Sequence, residues 1–331
     1  MVKSLRLLQV GLGPIGLDMA RRAVLRPGLR LVGAMDIAPT LVGRDLKGLL
    51  GEEHDCEGTV VSSVEAAVDS FKPDVALVTT VSDLDKVTPV CVELLRRGVH
   101  VVSTCEEMAY PFRTQPELCA KLDEAAKAGG VVCVGTGINP GFVLDILPVF
   151  LTGPLDTVQR VRAFRVVDAG KRRGPLQRKV GAGLSPAEFD AKVRAGGFGH
   201  RGFMESLHML CDALHVEVSG ASTFIRPVIA EEDVTTEFVS VRAGQVAGIH
   251  QGAEDRDGIV VLDLKMYVGA KNPGDRIEVD GSPNIKVQVE GGYHGDVATC
   301  AITLNAIHAL EHVRPGLRSM LDMPPIHSRR V

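Results

Sequence analysis

The chain has 331 residues, 45% of them hydrophobic, enough to bury a large core and most naturally to build two domains. Its 37 Lys and Arg against 41 Asp and Glu leave a net charge of −4, with no basic stripe and no Trp, which argues against nucleic acid as a partner. The short basic clusters Lys171-Arg172-Arg173 and Arg329-Arg330 read as solvated loop or tail, and the longest mainly apolar stretches, such as Phe142 to Leu151, are broken by Asp145 and fall short of a membrane span.

The start, Met1-Val2-Lys3-Ser4-Leu5, leads into a strand and not into a signal peptide, so a cytoplasmic protein with no membrane partner is expected. The cysteines Cys56, Cys91, Cys105, Cys119, Cys133, Cys211 and Cys300 contain no C-x-x-C pair and are read as reduced, mostly buried thiols. His250, His308, His312 and Glu311 show no metal-ligand spacing, and no metal is expected.

In chain order, the apolar run Leu5 to Val10 reads as a buried strand and Leu17 to Arg22 as a helix. Between them lies Gly11-Leu12-Gly13-Pro14-Ile15-Gly16, a G-x-G-x-x-G turn placed where a helix N-terminus can receive a pyrophosphate. Gly11 permits the tight turn, Gly13 allows close approach of the phosphates, and Gly16 lets helix and strand pack closely. The second strand, Leu29 to Met35, ends at Asp36, where a carboxylate can hold a ribose 2′-OH. Asp36 repels a 2′-phosphate and is followed by Ile37, so NAD is the expected cofactor, with NADP the alternative that Arg44 would admit.

A short strand at Gly58 to Val61 precedes a helix from Ser63, with Ser62 or Ser63 as N-cap and Glu65 as first-turn acid. The fourth strand, Pro73 to Val78, runs into Thr79-Thr80-Val81-Ser82 and a helix from Asp83 to Arg97. The fifth, Val99 to Val102, is followed by a helix from Gln115 to Ala128, and the sixth is Val131 to Val134. Strands alternating with helices predict a doubly wound parallel sheet of Rossmann type over residues 1–152. Ligands of such sheets lie beyond the carboxyl ends of the strands. That places Pro14, Ile15, Thr79, Thr80, Ser82, Thr104 and Asn139 with the glycines and Asp36 among the cofactor-binding candidates.

Glu106 and Glu107 follow the fifth strand directly. Either they are first-turn acids facing a helix dipole, or one of them projects beside the nicotinamide, taking a proton from an amine and steadying an iminium. Adjacent residues rarely face the same way, so only one is expected to do so. Gly135-Thr136-Gly137-Ile138-Asn139-Pro140-Gly141 closes the sixth strand, and its simplest reading is a loop in which Asn139 caps a helix starting at Pro140.

From Leu155 the pattern changes to period-two runs separated by Gly and Asp turns. Val161 to Val167 alternates so that Arg162 and Phe164 share one face and Arg165 takes the other. Thr223 to Ala230, Ser240 to Gln251, Ile259 to Tyr267 and Asp275 to Asp280 read as antiparallel strands, and Phe203 to Leu214 and Val297 to His312 as helices. The expectation for residues 153–331 is an α+β substrate and dimerisation domain with one open sheet, the final helix and tail lying there or against the first domain. Open sheets of this kind pair across two-fold axes, so a homodimer is expected.

Ser103 to Pro111 and Gly135 to Gly141 closely resemble 2,4-diaminopentanoate dehydrogenases and the related native amine dehydrogenases. The resemblance continues through Gly199-His200-Arg201-Gly202-Phe203-Met204-Glu205-Ser206, Pro283-Asn284-Ile285, and Arg314-Pro315-Gly316-Leu317 through Leu321-Asp322-Met323-Pro324, so it covers almost the whole chain. It implies an N-terminal domain like that of dihydrodipicolinate reductase. It also implies reversible NAD(P)-dependent deamination of a primary amine to a ketone or aldehyde and ammonia. The catalytic glutamate then falls within the Glu106-Glu107 pair, with Glu106 favoured by matching strand ends.

His200 becomes a candidate pocket residue, with Ile138, Phe142, Phe164, Met204, Thr303 and Asn305 as further candidates, for several of which core packing is the simpler role. A Phe164 facing the cleft would make the pocket apolar and favour a simple amine. Two other functions remain open on the residues alone: a two-domain reductase or dehydrogenase working on C=N or C–OH without ammonia, and a non-catalytic NAD(H) sensor.

Overall fold

The computed structural model describes residues 4–51, 54 and 56–328; the first three residues and the Arg329-Arg330 cluster lie outside them. The chain opens with β1 (Leu5–Val10), buried from Leu7 onward, and α1 (Pro14–Val24), whose Pro14 suits a first helical position because its missing N–H has no partner there in any case. Then come β2 (Leu29–Met35), the single turn α2 (Leu46–Leu50) capped by Asp45, and the two-residue β3 (Val60–Val61). Ser63 caps α3 (Val64–Phe71), its hydroxyl accepting from the Ala66 N–H at 3.2 Å, with Glu65 in the first turn.

β4 (Val75–Val78) is buried at every position, as expected of a parallel strand covered on both faces, and leads to α4 (Leu84–Arg96). β5 (His100–Ser103) runs into a 3-10 turn, Glu106–Ala109, followed by α5 (Pro116–Gly129) and β6 (Val132–Gly135). The helix expected at Pro140 does not form. The chain turns through residues 139–145, and α6 (Ile146–Thr152) is capped instead by Asp145, which accepts from the Ile146 N–H at 2.6 Å.

Beyond it lie β7 (Thr157–Asp168), α7 (Gly174–Lys179), α8 (Pro186–Ala195) and α9 (Phe203–Leu214). They are followed by β8 (Ser222–Ile229), β9 (Val234–Thr235), β10 (Ser240–Val241), β11 (Val246–Glu254), β12 (Val260–Tyr267), β13 (Gly274–Ser282) and β14 (Ile285–Glu290). The chain closes with α10 (Gly295–Ile307) and β15 (Gly316–Arg318).

The first sheet has the order β15-β6-β5-β4-β1-β2-β3, and every pairing in it is parallel. This is the doubly wound order, with a seventh strand supplied by the end of the chain. Leu8, Val10, Ala76, Val78, Val101 and Cys133 of its strands pack with Val87, Cys91, Leu94 and Leu95 of α4 and Leu122, Ala125 and Ala126 of α5 in one buried cluster. All seven cysteines are buried, and none of them forms a disulfide. No helix among the described residues is long and apolar enough to cross a membrane.

Two compact units result, Met1–Phe142 with His294–Val331, and Val143–Tyr293. In the second unit a six-stranded sheet runs β14-β13-β7-β12-β11-β8, and β9 pairs with β10 in a separate ribbon, so the expected single sheet is two. The main sheet is mixed and not antiparallel, because β12 pairs parallel to β7 in full register from Val260↔Val161 to Tyr267↔Asp168. The strand expected over Ser240 to Gln251 is also two. Arg242 to Gln245 forms a turn in which the Gln245 side chain accepts from the Arg242 N–H, and β10 and β11 join different sheets. The expected last helix ends early, at Ile307, before a separate 3-10 turn, Leu310–His312.

The alternation in β7 is as expected: Val161, Ala163 and Arg165 are buried, while Arg162 and Phe164 lie half-buried on the other face. Arg165 is thus a cation inside the second unit, 3% exposed. It pairs with Asp275 of β13 (Nη1–Oδ2 3.4 Å) and donates to the Tyr293 carbonyl at 2.6 Å, while Asp275 accepts from the Tyr293 N–H at 2.8 Å. Burial pushes the guanidinium down and the carboxyl up, and their mutual attraction opposes both.

Removing one member leaves the other charge stranded. Asp275→Ala is expected to lower unfolding stability by about 3–5 kcal/mol in urea titrations, and Arg165→Leu with Asp275→Leu together to recover most of that loss. A double variant no more stable than the single one would refute this account.

Candidate active site

The glycine loop ends β1 and opens α1 at the point where the strand order reverses between β1 and β4. Gly11 has φ +87°, and a Cβ there would meet the Thr80 side chain at 2.8 Å. A Cβ on Gly16 would stand 2.0 Å from the Gly11 carbonyl oxygen, so the helix can approach the strand this closely only through a glycine. Gly13 differs from both. It is exposed, its φ is −63°, and a Cβ would meet nothing within 4 Å. The protein itself does not need a glycine there, whereas a phosphate lying over the α1 N-terminus would. Gly13 also caps α1 without a side chain, leaving that helix end to an anion.

Asp36 stands beside this loop. Its carboxylate accepts from the Leu12 N–H at 2.7 Å and from the Ala38 N–H at 2.9 Å, which ties the end of β2 to the glycine turn. Ile37 next to it is 82% exposed, and Arg44 lies exposed in the following loop. An open cradle above Gly13, an uncapped helix end and a fixed carboxylate at the second strand's end suit a dinucleotide. Gly11, Gly13, Pro14, Ile15, Gly16 and Asp36 would hold it.

Thr79 is turned inward. Its hydroxyl lies 3.1 Å from the Gly11 carbonyl and accepts from the Gln9 amide at 2.7 Å, and Gln9 also donates to the Gly11 carbonyl at 2.9 Å. Gln9 is fully buried in β1 and was missed by sequence reasoning. The available signal was an amide in the middle of an apolar strand, which needs a partner when buried. Thr80 is exposed and Ser82 half-buried at the same edge.

The two glutamates occupy the first turn of the 3-10 segment, where successive side chains point about 120° apart because there are about three residues per turn. Met108 of that turn is fully buried in the core, and the turn rests on β6, since a Cβ on Gly135 would stand 2.5 Å from the Met108 backbone. Glu107 is engaged: one carboxylate oxygen accepts from the Leu84 N–H at 2.8 Å and from the Gln115 amide at 3.0 Å. Glu106 is half-buried, and no hydrogen bond or ion pair to its carboxylate occurs among the described residues.

Below them, Ser103 accepts from the Cys105 N–H at 3.1 Å, the Thr104 N–H donates to the Val78 carbonyl at 3.0 Å, and the Cys105 thiol donates to the Ser82 carbonyl at 3.1 Å. Burial pushes that thiol up to about 12, so it stays protonated and is no nucleophile.

The loop after β6 is tied to α10, as the Ile138 N–H donates to the Thr299 hydroxyl at 3.3 Å. Asn139 and Phe142 are half-buried in this stretch. Thr303 is fully buried with its hydroxyl donating to the Thr299 carbonyl at 2.7 Å, a packing role inside α10, and Asn305 pairs with Arg26.

In the second unit, Phe164 lies beneath the Arg276 guanidinium, 4.4 Å from the ring centre. His200 is held through its backbone by a reciprocal amide pair: its N–H donates to Gln251 Oε1 at 2.8 Å, and Gln251 Nε2 donates to its carbonyl at 2.7 Å. Its ring meets Phe203 edge to face at 6.0 Å, and Met204 is half-buried one position further.

The family described as the 2,4-diaminopentanoate dehydrogenase C-terminal domain matches residues 142–329. Over 98% of its length the chain is 29% identical to a 2,4-diaminopentanoate dehydrogenase from Acetoanaerobium sticklandii, of which 94% is covered. A solved amine dehydrogenase from Mycobacterium smegmatis superposes with a TM-score of 0.85 at 25% identity, over 98% of this chain and 97% of that one. A dihydrodipicolinate reductase from Paenisporosarcina sp. TG-14, at 14% identity and a TM-score of 0.55 over 96% of this chain and 98% of that one, shares the fold. The family match spans more than half of the sequence, and the chain belongs to the 2,4-diaminopentanoate dehydrogenase C-terminal domain family.

Proposed function

We propose that the protein is an amine dehydrogenase that uses NAD, with NADP as a poorer alternative, for reversible conversion of a primary amine and water to a ketone or aldehyde and ammonium. The observation that carries this reading is the uncommitted Glu106 carboxylate at the end of β5, in a sheet whose glycine loop suits a dinucleotide. The named chemistry of the relatives supports the amine as substrate class. The unit Met1–Phe142 with His294–Val331 would carry the cofactor, and Val143–Tyr293 the substrate pocket and a homodimer contact, with His200 as a substrate orienter. Asp36 beside Leu12 disfavours a 2′-phosphate, which supports NAD.

When bound, the nicotinamide supplies the hydride acceptor. Glu106 takes the proton of the substrate ammonium, so the nitrogen lone pair can drive hydride departure. Its half-exposure lets it return that proton to solvent. The carboxylate then faces the iminium cation and deprotonates the water that adds to its carbon. In sum, the protonated primary amine, water and oxidised cofactor give the ketone or aldehyde, ammonium, reduced cofactor and a proton.

Oxidation of NADH by small ketones is expected to require ammonium, and equal rates without it would reject the amine reaction in favour of a plain reductase. Glu106→Gln should lower kcat by about 10²–10⁴-fold while NADH still binds, as measured by fluorescence titration. Full turnover in that variant would remove Glu106 from the chemistry.

The two loop glycines separate folding from cofactor binding. Gly13→Ala should melt as the parent does yet bind NADH at least about tenfold more weakly, a loss of about 1.4 kcal/mol. Gly16→Ala should instead lose about 1–3 kcal/mol of stability through its clash with Gly11. Unchanged NADH affinity in Gly13→Ala would show that the open face above Gly13 does not receive the phosphates.

A further inference from the structure

We infer that Glu107 is the positioning residue that aims Glu106, acting by capping α4 with its own carboxylate; this rests on Glu106 being the proton-transfer group proposed above. Asp83, in the N-cap position of α4, makes no capping hydrogen bond. The first N–H of the helix, that of Leu84, is served by Glu107 from 23 residues further along the chain, at 2.8 Å. A carboxylate at a helix N-terminus is favoured both by the hydrogen bond and by the helix dipole, which suits Glu107 to this place.

The same oxygen accepts from Gln115, the residue before α5, and the Glu107 N–H donates to the Ser82 carbonyl at 3.3 Å. One side chain and its own amide thus join three segments at the carboxyl edge of the sheet: the loop from β4 into α4, the 3-10 turn after β5, and the entry to α5.

The geometry of the turn converts this fastening into aim. Three successive side chains of a 3-10 turn divide the circle into thirds. Met108 is locked in the core and Glu107 is locked on Leu84 and Gln115, so the remaining third belongs to Glu106. Releasing Glu107 frees the turn to rotate about the Met108 anchor, and the proton-transfer carboxylate swings with it. Proton transfer is steep in distance, since a misplacement of about 1 Å costs on the order of 10²-fold.

The test compares Glu107→Ala, Glu107→Gln and Glu106→Gln in the full chain by kcat, KM for the amine, the pH profile of kcat and NADH affinity. Glu107→Ala should lower kcat by about 10–100-fold, with NADH affinity and the shape of the pH profile retained. Glu107→Gln keeps an oxygen that accepts from Leu84 and Gln115, and should recover to within about fivefold of the parent. Glu106→Gln should lose the pH limb together with turnover.

An unaltered kcat in Glu107→Ala would overturn the inference. So would a Glu107→Gln variant as inactive as Glu106→Gln and lacking the same pH limb, because Glu107 would then be the proton-transfer group itself. If the alanine variant does not fold, the glutamine variant decides alone: activity near the parent supports positioning, and inactivity refutes it. Full turnover in Glu106→Gln would instead reject the catalytic reading on which the inference rests.

Discussion

The Gly11 carbonyl is the point on which the first unit is assembled. The Gln9 amide and the Thr79 hydroxyl converge on it from β1 and from the end of β4, and Gly16 of α1 is pressed against it from above. These three contacts hold together the two neighbouring strands from which the crossovers depart in opposite directions, and so create the crevice in which an open α/β sheet binds ligands. A buried amide and hydroxyl would be costly if unpaired. The Gln9 Nε2 and the Thr79 hydroxyl find partners in each other and in this carbonyl, while Gln9 Oε1 has none among the described residues, and these bonds fasten the loop from which α1 departs.

Much of this was legible in the residues. Buried parallel strands read as near-continuous apolar runs, and Gly, Pro and Ser punctuate them, so β1 to β6 and a cap at Ser62 or Ser63 could be placed from the residues, and the structure puts the cap at Ser63. The turn at Gly11 and the close packing at Gly16 could be read from the spacing. What sets Gly13 apart could not: Gly16 is required by the Gly11 carbonyl and Gly11 by its left-handed φ, while Gly13 has no such requirement within the protein.

The illegible parts depend on partners distant in sequence. The parallel pairing of β12 with β7 follows from the path of the intervening chain and leaves no mark on an alternating pattern. The break between β10 and β11 rests on a Gln245 side chain folded back onto Arg242. The turn at Asn139-Pro140 carries a plausible helix-start signature, but the structure delays the helix to Asp145, whose second oxygen accepts from the Ser206 hydroxyl of α9 at 2.7 Å. Local propensity was outvoted there by a buried carboxylate that has two donors in hand.

The glutamate pair shows the same limit where it matters most. Two identical side chains in adjacent positions are indistinguishable by composition, spacing or charge, and both suit a first helical turn. Their roles separate only because Leu84, 23 residues earlier, offers an unserved N–H, and Gln115, eight residues later, an amide. A carboxylate with two donors on one oxygen is already solvated by the protein and gains little from a substrate ammonium. A neighbour lacking such donors keeps its full capacity to accept a proton or to face a cation. In the proposed reaction, fastening one glutamate would therefore do more than aim the other: it would take a competing base out of the same turn and leave one carboxylate for the substrate nitrogen.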